Sequence, residues 1–461
     1  MLLDSQSADI FSRLKTYSSA DEIEVLFYAT RNALTRFANN TIHQNMAEEN
    51  VVVSVRTAFG RRTARATTNK LDDDSLKRVV QSSESLAKVQ QPDPDLLPLP
   101  ARAEGEAGEG ACPTRYFAET SAITPEQRAD TVKKIVAIAE KNKLTAAGVF
   151  SNSESADGVF NSRGLAKWHT QTSSEISITM LGPDASGWQK ANSPNVANLD
   201  AMALAETAAR KARESVQPRE IPPGKYTVIL EPAAALDIVG FIFYDFGGLA
   251  ILDQRSFLNN RIGTQVFGKN INIWDDVGHS LQSGSPFDGE GMPRQKVQLI
   301  EDGVVKRLVY ARGTAARMKQ SDHKDKVGPI EPTGHGFPIP NEVGEAPMNI
   351  VFGAPSNPQT IEEMIASTDR GILVTRLWYI REVDPYEKIL TGMTRDGTFL
   401  IEGGKIRYGL RNFRFNESVI HMLSNVEAMG VPVRASGEES FDMVVPPMKV
   451  AGFNFTEVTK F

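Results

Sequence analysis

Cysteine is almost absent from this chain. One residue of 461, Cys112, carries a thiol. No disulfide can form within the chain, which excludes a disulfide-stapled scaffold and fits a reducing compartment. Long apolar runs are missing too. No stretch approaches the roughly 18–20 residues needed to cross a bilayer, so no membrane span is expected. The opening MLLDSQSADIFSRL has no basic region followed by an apolar one, so no signal peptide is expected either. Histidine is scarce: the six are His43, His169, His279, His323, His335 and His421. No two lie four or five residues apart, so neighbouring histidines cannot form a zinc pair on one helical face. There is no G-x-S-x-G nucleophile elbow and no phosphate loop. Excess positive charge is also missing. The formal net charge is −6, whereas general affinity for phosphate backbones needs clustered Lys and Arg. RTAFGRRTARATTNK (56–70) is a local basic cluster that a strand edge explains as well. The expectation is a soluble, cytoplasmic protein with no direct nucleic-acid or membrane partner.

What is present reads as an α+β protein of two domains, since one ordinary core rarely serves 461 residues. Ile10, Phe11, Leu14 and Tyr17 have helical spacing. Residues 22–68 alternate apolar and polar, which predicts a strand meander with turns at RNA (31–33) and ANN (38–40). Helices are predicted over 72–90, over 124–142 with Thr124 as cap and Pro125 at its first position, and over 199–214. The Pro-, Gly- and Glu-rich segment 91–123 reads as a surface loop. QPREIPPGKY (217–226) interrupts any helix or central strand, dividing the chain into 1–220, an α/β domain, and 221–461. The second part reads as mainly antiparallel β with a buried helix over 232–246 after its first strand, stopped by Gly247 and Gly248. A further helix is predicted over 417–429.

Candidate chemistry is thin. DDVGHSLQSGSPFDGEG gathers Asp275, Asp276, His279, Asp288 and Glu290, a set able to hold a metal through oxygens and one imidazole, or simply a polar loop. PTGHGFPIP brackets His335 with glycines, which permit close approach of a ligand or another strand. Trp378, Tyr379, Arg381 and Glu382 mark either a cleft wall or an exposed sheet face. His169 and His421 read as packing and helix-surface residues.

The chain resembles a known family in TRFANNTIHQN (35–45), TTNKLDDDSLKRVV (67–80), SPFDGEGMPRQKVQLIEDGVVKRLVYARGTAARM (285–318), TGHG, and SNPQTIEEMIASTDRGILVTRLWYIREVDP (356–385). Their order along nearly the whole chain is similar to the TldD/PmbA family, once described as modulators of DNA gyrase. The resemblance implies a metallopeptidase-related protein. One branch of the family carries His-Glu-x-x-x-His on the helix after the strand opening the second domain, with a later cysteine completing a zinc site. The other branch, PmbA or TldE, lacks it. Aligned here, those six positions fall on Gly240, Phe241, Ile242, Phe243, Tyr244 and Asp245. No histidine stands there, Phe241 replaces the glutamate, and the only cysteine lies far upstream. The resemblance therefore implies a zinc-free, TldE-like subunit that binds no cofactor itself and partners a TldD-like zinc-bearing chain in proteolysis or peptide maturation. Possible substrate or interface residues are His279, Asp288, Glu290, His335, Trp378 and Arg381, and a homodimer is possible. Two other readings stay open: a self-sufficient hydrolase with a metal site around His279, and a regulatory binder of a toxin, antitoxin or gyrase.

Overall fold

The structure, a computed structural model, describes residues 1–108, 110 and 112–459. The alternating segments at the start form long strands. β1 (Glu22–Ala38), β2 (Thr41–Phe59), β3 (Arg62–Thr68), β4 (Thr145–Asn161), β5 (Ala166–Leu181) and β6 (Ser186–Ser193) make one antiparallel sheet in the order β3-β2-β1-β4-β5-β6. The ANN turn forms as expected: Asn39 and Asn40 take φ of 50° and 59°, a left-handed region that Asn tolerates better than most residues. The RNA turn does not form. Arg31, Asn32 and Ala33 pair with β2 on one side and β4 on the other, and two full ladders outweigh a local turn preference.

Helices α1 (Asp4–Tyr17) and α2 (Asp73–Val89) cover one half of this sheet. The Asp72 side chain accepts the Ser75 N–H at 2.9 Å and starts α2. Segment 91–123 is not all loop: it holds two short helices, α3 (Arg102–Glu106) and α4 (Ala118–Ser121). Helices α5 (Pro125–Lys141) and α6 (Ala201–Glu214) cover the other half of the sheet. Thr124 and Gln127 form a reciprocal capping box at the start of α5. Gly187 lets α6 lie close, since a Cβ there would sit 2.5 Å from the Ala212 nitrogen.

The second half begins with β7 (Gly224–Leu230), which pairs in parallel with Arg370–Asp384 and antiparallel with Met448–Val458. From Met448–Val458 the hydrogen bonding runs through Phe413–Ser418 and Ile389–Glu402 and returns to Arg370–Asp384. The path closes into a barrel of five strands, which removes sheet edges. Short strands between Ile273 and Val445 form another sheet beside it. Both surround one large apolar core containing Leu236, Ile238, Val239, Ile242 and Phe243. Each such side chain contributes about 1.5–3 kcal/mol when fully buried.

Two helical expectations need correction. Residues 232–246 are not one helix: α7 (Pro232–Val239) tightens at Gly240 into a 3₁₀ segment, Gly240–Phe246, and Gly248 then opens another short helix, α8 (Gly248–Leu252). Residues 417–429 are helical only over Val419–Ser424, because Phe413–Ser418 and Val426–Met429 join the barrel ladders. His421 lies on that short helix, half exposed beside Glu417. Among the described residues, no helix is long and apolar enough to cross a membrane.

The two halves meet through polar contacts. Arg65 Nε donates to the Ile339 carbonyl at 2.9 Å, Arg312 Nη1 to the Pro98 carbonyl at 3.0 Å, and the Ser285 hydroxyl to Asp157 at 2.8 Å. Two of the five cations in the 56–70 cluster pair with one buried acid: Arg65 and Arg56 lie 2.6 and 3.4 Å from the Glu24 carboxylate.

Candidate functional site

β7 delivers the chain to Pro232, whose ring suits the first position of α7. The helix buries Ala234, Ala235, Leu236, Ile238 and Val239, but also one acid, Asp237, which is fully inaccessible. Its Oδ1 accepts the backbone N–H groups of Glu438 and Glu439 at 3.0 and 2.9 Å. Burial pushes the carboxyl up to about 7, although those two N–H groups pull the other way. The contact fixes the loop around 436–442 against α7. Gly437 is required for it: a Cβ there would overlap Asp237 Oδ1 and lie 2.7 Å from a Leu236 methyl.

The same loop closes the position where the resemblance would put the first histidine. A Cβ on Gly240 would overlap the Ser440 hydroxyl and come within 2.5 Å of Ser440 Cβ. No side chain fits at 240 unless Ser440 moves. At the other end, Asp245 is 6% exposed. Its Oδ1 accepts the Phe257 N–H at 3.0 Å, and its Oδ2 lies 2.6 Å from Lys388 Nζ. That ammonium also donates to Glu382 at 2.9 Å and sits 5.5 Å from the centre of the Phe257 ring. Burial raises the Asp245 pKa and Lys388 opposes the rise.

Between these ends lies an open pocket of about 720 Å³. Phe241, Tyr244 and Phe441 supply apolar wall, while Asp245, Glu382, Glu438 and Glu439 outnumber Arg255 and Lys388. Tyr244 is 50% exposed and faces solvent. The residues do not fit zinc. A zinc site needs about three protein ligands; this turn offers one carboxylate, already held by an ammonium. Among the described residues, no group of three or more His, Cys, Asp or Glu is placed to hold a metal ion.

The other sequence candidates do not gather here. Asp288, Glu290 and His335 are buried, not surface contacts, because each is consumed inside the protein. Asp288 accepts N–H groups of Glu290, Met292 and Gly336 at 2.8–2.9 Å. Glu290 faces Arg312, at 3.5 Å, and burial pushes it up to about 7. His335 Nε2 lies 3.0 Å from Asp275 Oδ1, and its Nδ1 lies 3.0 Å from the Thr333 hydroxyl. Burial alone would raise Asp275, but His335 and Arg294 outweigh it and leave the acid below its usual range. The glycines around His335 admit protein, not a ligand: a Cβ on Gly334 would strike the Pro293 backbone, and one on Gly336 would lie 3.0 Å from Glu290 Oε1. His279 is half-buried, its Nδ1 accepting the Leu281 N–H at 3.2 Å. Trp378 stacks under Arg395 at 4.6 Å beside a different, smaller cavity. Arg381 packs over Tyr379 at 4.3 Å, and its guanidinium reaches Glu439, a pocket residue, at 3.8 Å. His169 is packed and held neutral, its pKa lowered to about 4 by burial and Arg115. Sequence reasoning missed Lys388, Asp237 and Ser440. A lone lysine in a turn, one acid in an apolar helix and a loop serine give no local signal.

A sheet-and-helix half joined to a half built on a closed barrel, with a broken helix and an open pocket after the barrel's first strand, defines an α+β architecture. The family model for the PmbA/TldA metallopeptidase C-terminal domain matches residues 223–457, and that for PmbA/TldA metallopeptidase domain 1 matches 23–87. The chain belongs to the PmbA/TldD family. It is 21% identical over 407 residues to metalloprotease PmbA of Escherichia coli O157:H7, covering 85% of this chain and 83% of that protein. Its fold matches the crystal structure of TldE from Thermococcus kodakarensis with a TM-score of 0.84 at 20% identity, over 98% of this chain and 100% of the other. A Thermotoga maritima structure described as a modulator of a DNA gyrase matches with a TM-score of 0.82 at 19% identity, over 98% and 100%.

Proposed function

We propose that this chain is a zinc-free, non-catalytic member of its family. It forms a wall of a peptide-binding chamber whose zinc is supplied by a TldD-like partner subunit, in proteolysis or peptide maturation. The observation that carries this reading is the state of the turn after β7. Ser440 fills the space over Gly240 and Lys388 holds Asp245, yet a pocket of about 720 Å³ stays open in front of them. Aromatic wall and surplus carboxylates suit an unfolded peptide chain. The single thiol, Cys112, fits a cytoplasmic setting.

The reading of a hydrolase around His279 loses support, because Asp288 and Glu290 spend their oxygens on backbone N–H groups and Arg312. The test is to purify the tagged chain from its own cells and measure zinc and peptidase activity. The expected result is a co-purifying zinc-bearing relative, about one zinc per pair, and activity only in the pair. Zinc with peptidase activity in the isolated chain overturns the proposal.

A further inference from the structure

The charges around the pocket do not balance. Four carboxylates line it, Asp245, Glu382, Glu438 and Glu439, against two cations, Arg255 and Lys388. Both cations are already engaged. Arg255 pairs with Asp253 at 3.0 Å. Lys388 neutralises Asp245 at 2.6 Å, which leaves Glu382, 2.9 Å from the same ammonium, in surplus. A second ammonium is shared in the same way: Lys190, reaching across from β6, lies 3.4 Å from Glu175 and 3.5 Å from Glu438. Glu439 faces the Arg381 guanidinium at 3.8 Å and accepts the N–H groups of Tyr379 and Ile380. Two carboxylate charges are therefore left over. Glu382 and Glu438 present them to the pocket, with side chains 34% and 31% exposed. Behind the 436–442 loop, Asp237 has one further oxygen buried without a hydrogen-bond partner among the described residues. The rest of the wall favours the same sign of ligand. Phe241, Tyr244 and Phe441 line the pocket, and an aromatic face attracts ammonium and guanidinium groups but offers nothing to a carboxylate.

We propose that the pocket takes a cationic group of a peptide, a lysine or arginine side chain or a free amino terminus, so that this chain selects basic segments. The inference rests on the reading of the pocket as a peptide-facing wall. Glu382 and Glu438 supply the counter-charge, and the aromatic rings pack along the aliphatic stem that carries the cation. An acidic segment is refused, because its carboxylate would meet two surplus charges of its own sign. The carboxylates are already positioned by Lys388 and Lys190, so little side-chain freedom is lost when a ligand arrives.

Titration calorimetry on the isolated full chain tests this. The probes are short peptides, acetylated and amidated at their ends, identical except for a central Lys, Gln or Glu, together with the Gln peptide carrying a free amino terminus. A cationic probe should bind at least about tenfold more tightly than the Glu peptide, and the preference should shrink as salt rises. Binding of the acetylated Lys peptide assigns the pocket to a side chain; binding of the free-amine peptide alone assigns it to the amino terminus. Glu382→Gln and Glu438→Gln change partly exposed side chains and leave the Asp245–Lys388 contact in place. Each should cut the preference by about threefold, with far-UV circular dichroism checking the fold. Equal affinities for all four probes overturn the proposal. So does the absence of binding by either cationic probe at about 1 mM, or a preference that neither variant reduces. The assay needs neither zinc nor a partner. A charge preference in a chain that finds no zinc-bearing partner keeps this inference and removes the assembly reading, and a zinc-bearing pair whose zinc-free chain shows no preference does the converse.

Discussion

Replacing Lys388 by Met removes the ammonium that faces Asp245 and keeps most of the stem that packs on Phe257. The carboxylate left behind is 6% exposed and keeps one hydrogen bond, from the Phe257 N–H at 3.0 Å. Breaking a buried pair from one side costs about 3–5 kcal/mol, because the remaining charge has lost its counter-charge and gains little water in exchange. The second contact, to Glu382, adds no more than about 1 kcal/mol, since screening applies to a group that is 34% exposed. Lys388→Met should therefore lose about 3–5 kcal/mol in urea unfolding at neutral pH, followed by tryptophan fluorescence. The loss should depend on pH. Burial already raises the Asp245 pKa, and losing Lys388 raises it further. An acid whose folded pKa lies above its unfolded one favours folding when protonated. The deficit should be complete above the variant's folded value and shrink as pH falls through it, towards the ordinary range near 4. Adding Asp245→Asn removes the stranded charge and should recover all but about 1 kcal/mol. A pH-independent loss below about 1 kcal/mol would show that pocket water hydrates the pair, and would refute the account of a closed, internally neutralised turn.

Three further outcomes follow from the same geometry. Restoring a motif-like turn with Gly240→His and Phe241→Glu should cost about 1–3 kcal/mol through overlap with Ser440, and elemental analysis should find no zinc retained by the variant. Glu290 and Glu345 are both pushed up to about 7 by burial. Their contribution to folding is complete below the ordinary value near 4.5 and is lost as pH rises through about 7. Thermal melts across that window should show stability falling with pH, and Glu290→Gln should flatten the slope. Tyr244→Ala, at a side chain 50% exposed in the pocket wall, should change stability by less than about 0.5 kcal/mol while lowering peptide turnover by the reconstituted pair. Unchanged turnover would remove Tyr244 from the peptide-facing wall.

Much of the fold was legible because its signals are local. Period-2 alternation over 22–68 marked the meander, Asn39 and Asn40 marked its turn, and Thr124 with Pro125 marked the start of α5. Where the reading failed, non-local pairing had overridden local preference. Arg31–Ala33 look like a turn but lie between two ladders. Residues 417–429 have helical spacing, yet both ends are drawn into the barrel. The apolar run 238–246 suggested one helix, but its middle tightens where the 436–442 loop presses on Gly240.

The candidate site divides the same way. The order of residues alone shows that this turn carries no histidine and that the only cysteine is far away along the chain, since identity and order need no coordinates. Whether the vacated position is open or filled depends on residues about 200 positions downstream, Glu438, Glu439 and Ser440. Whether Asp245 is a free acid depends on Lys388, brought from a distant hairpin. Asp288, Glu290 and His335 looked available in a polar loop until packing buried them. Local backbone preference is written residue by residue, but burial and charge pairing belong to the assembled chain, because only there does water leave and a partner arrive.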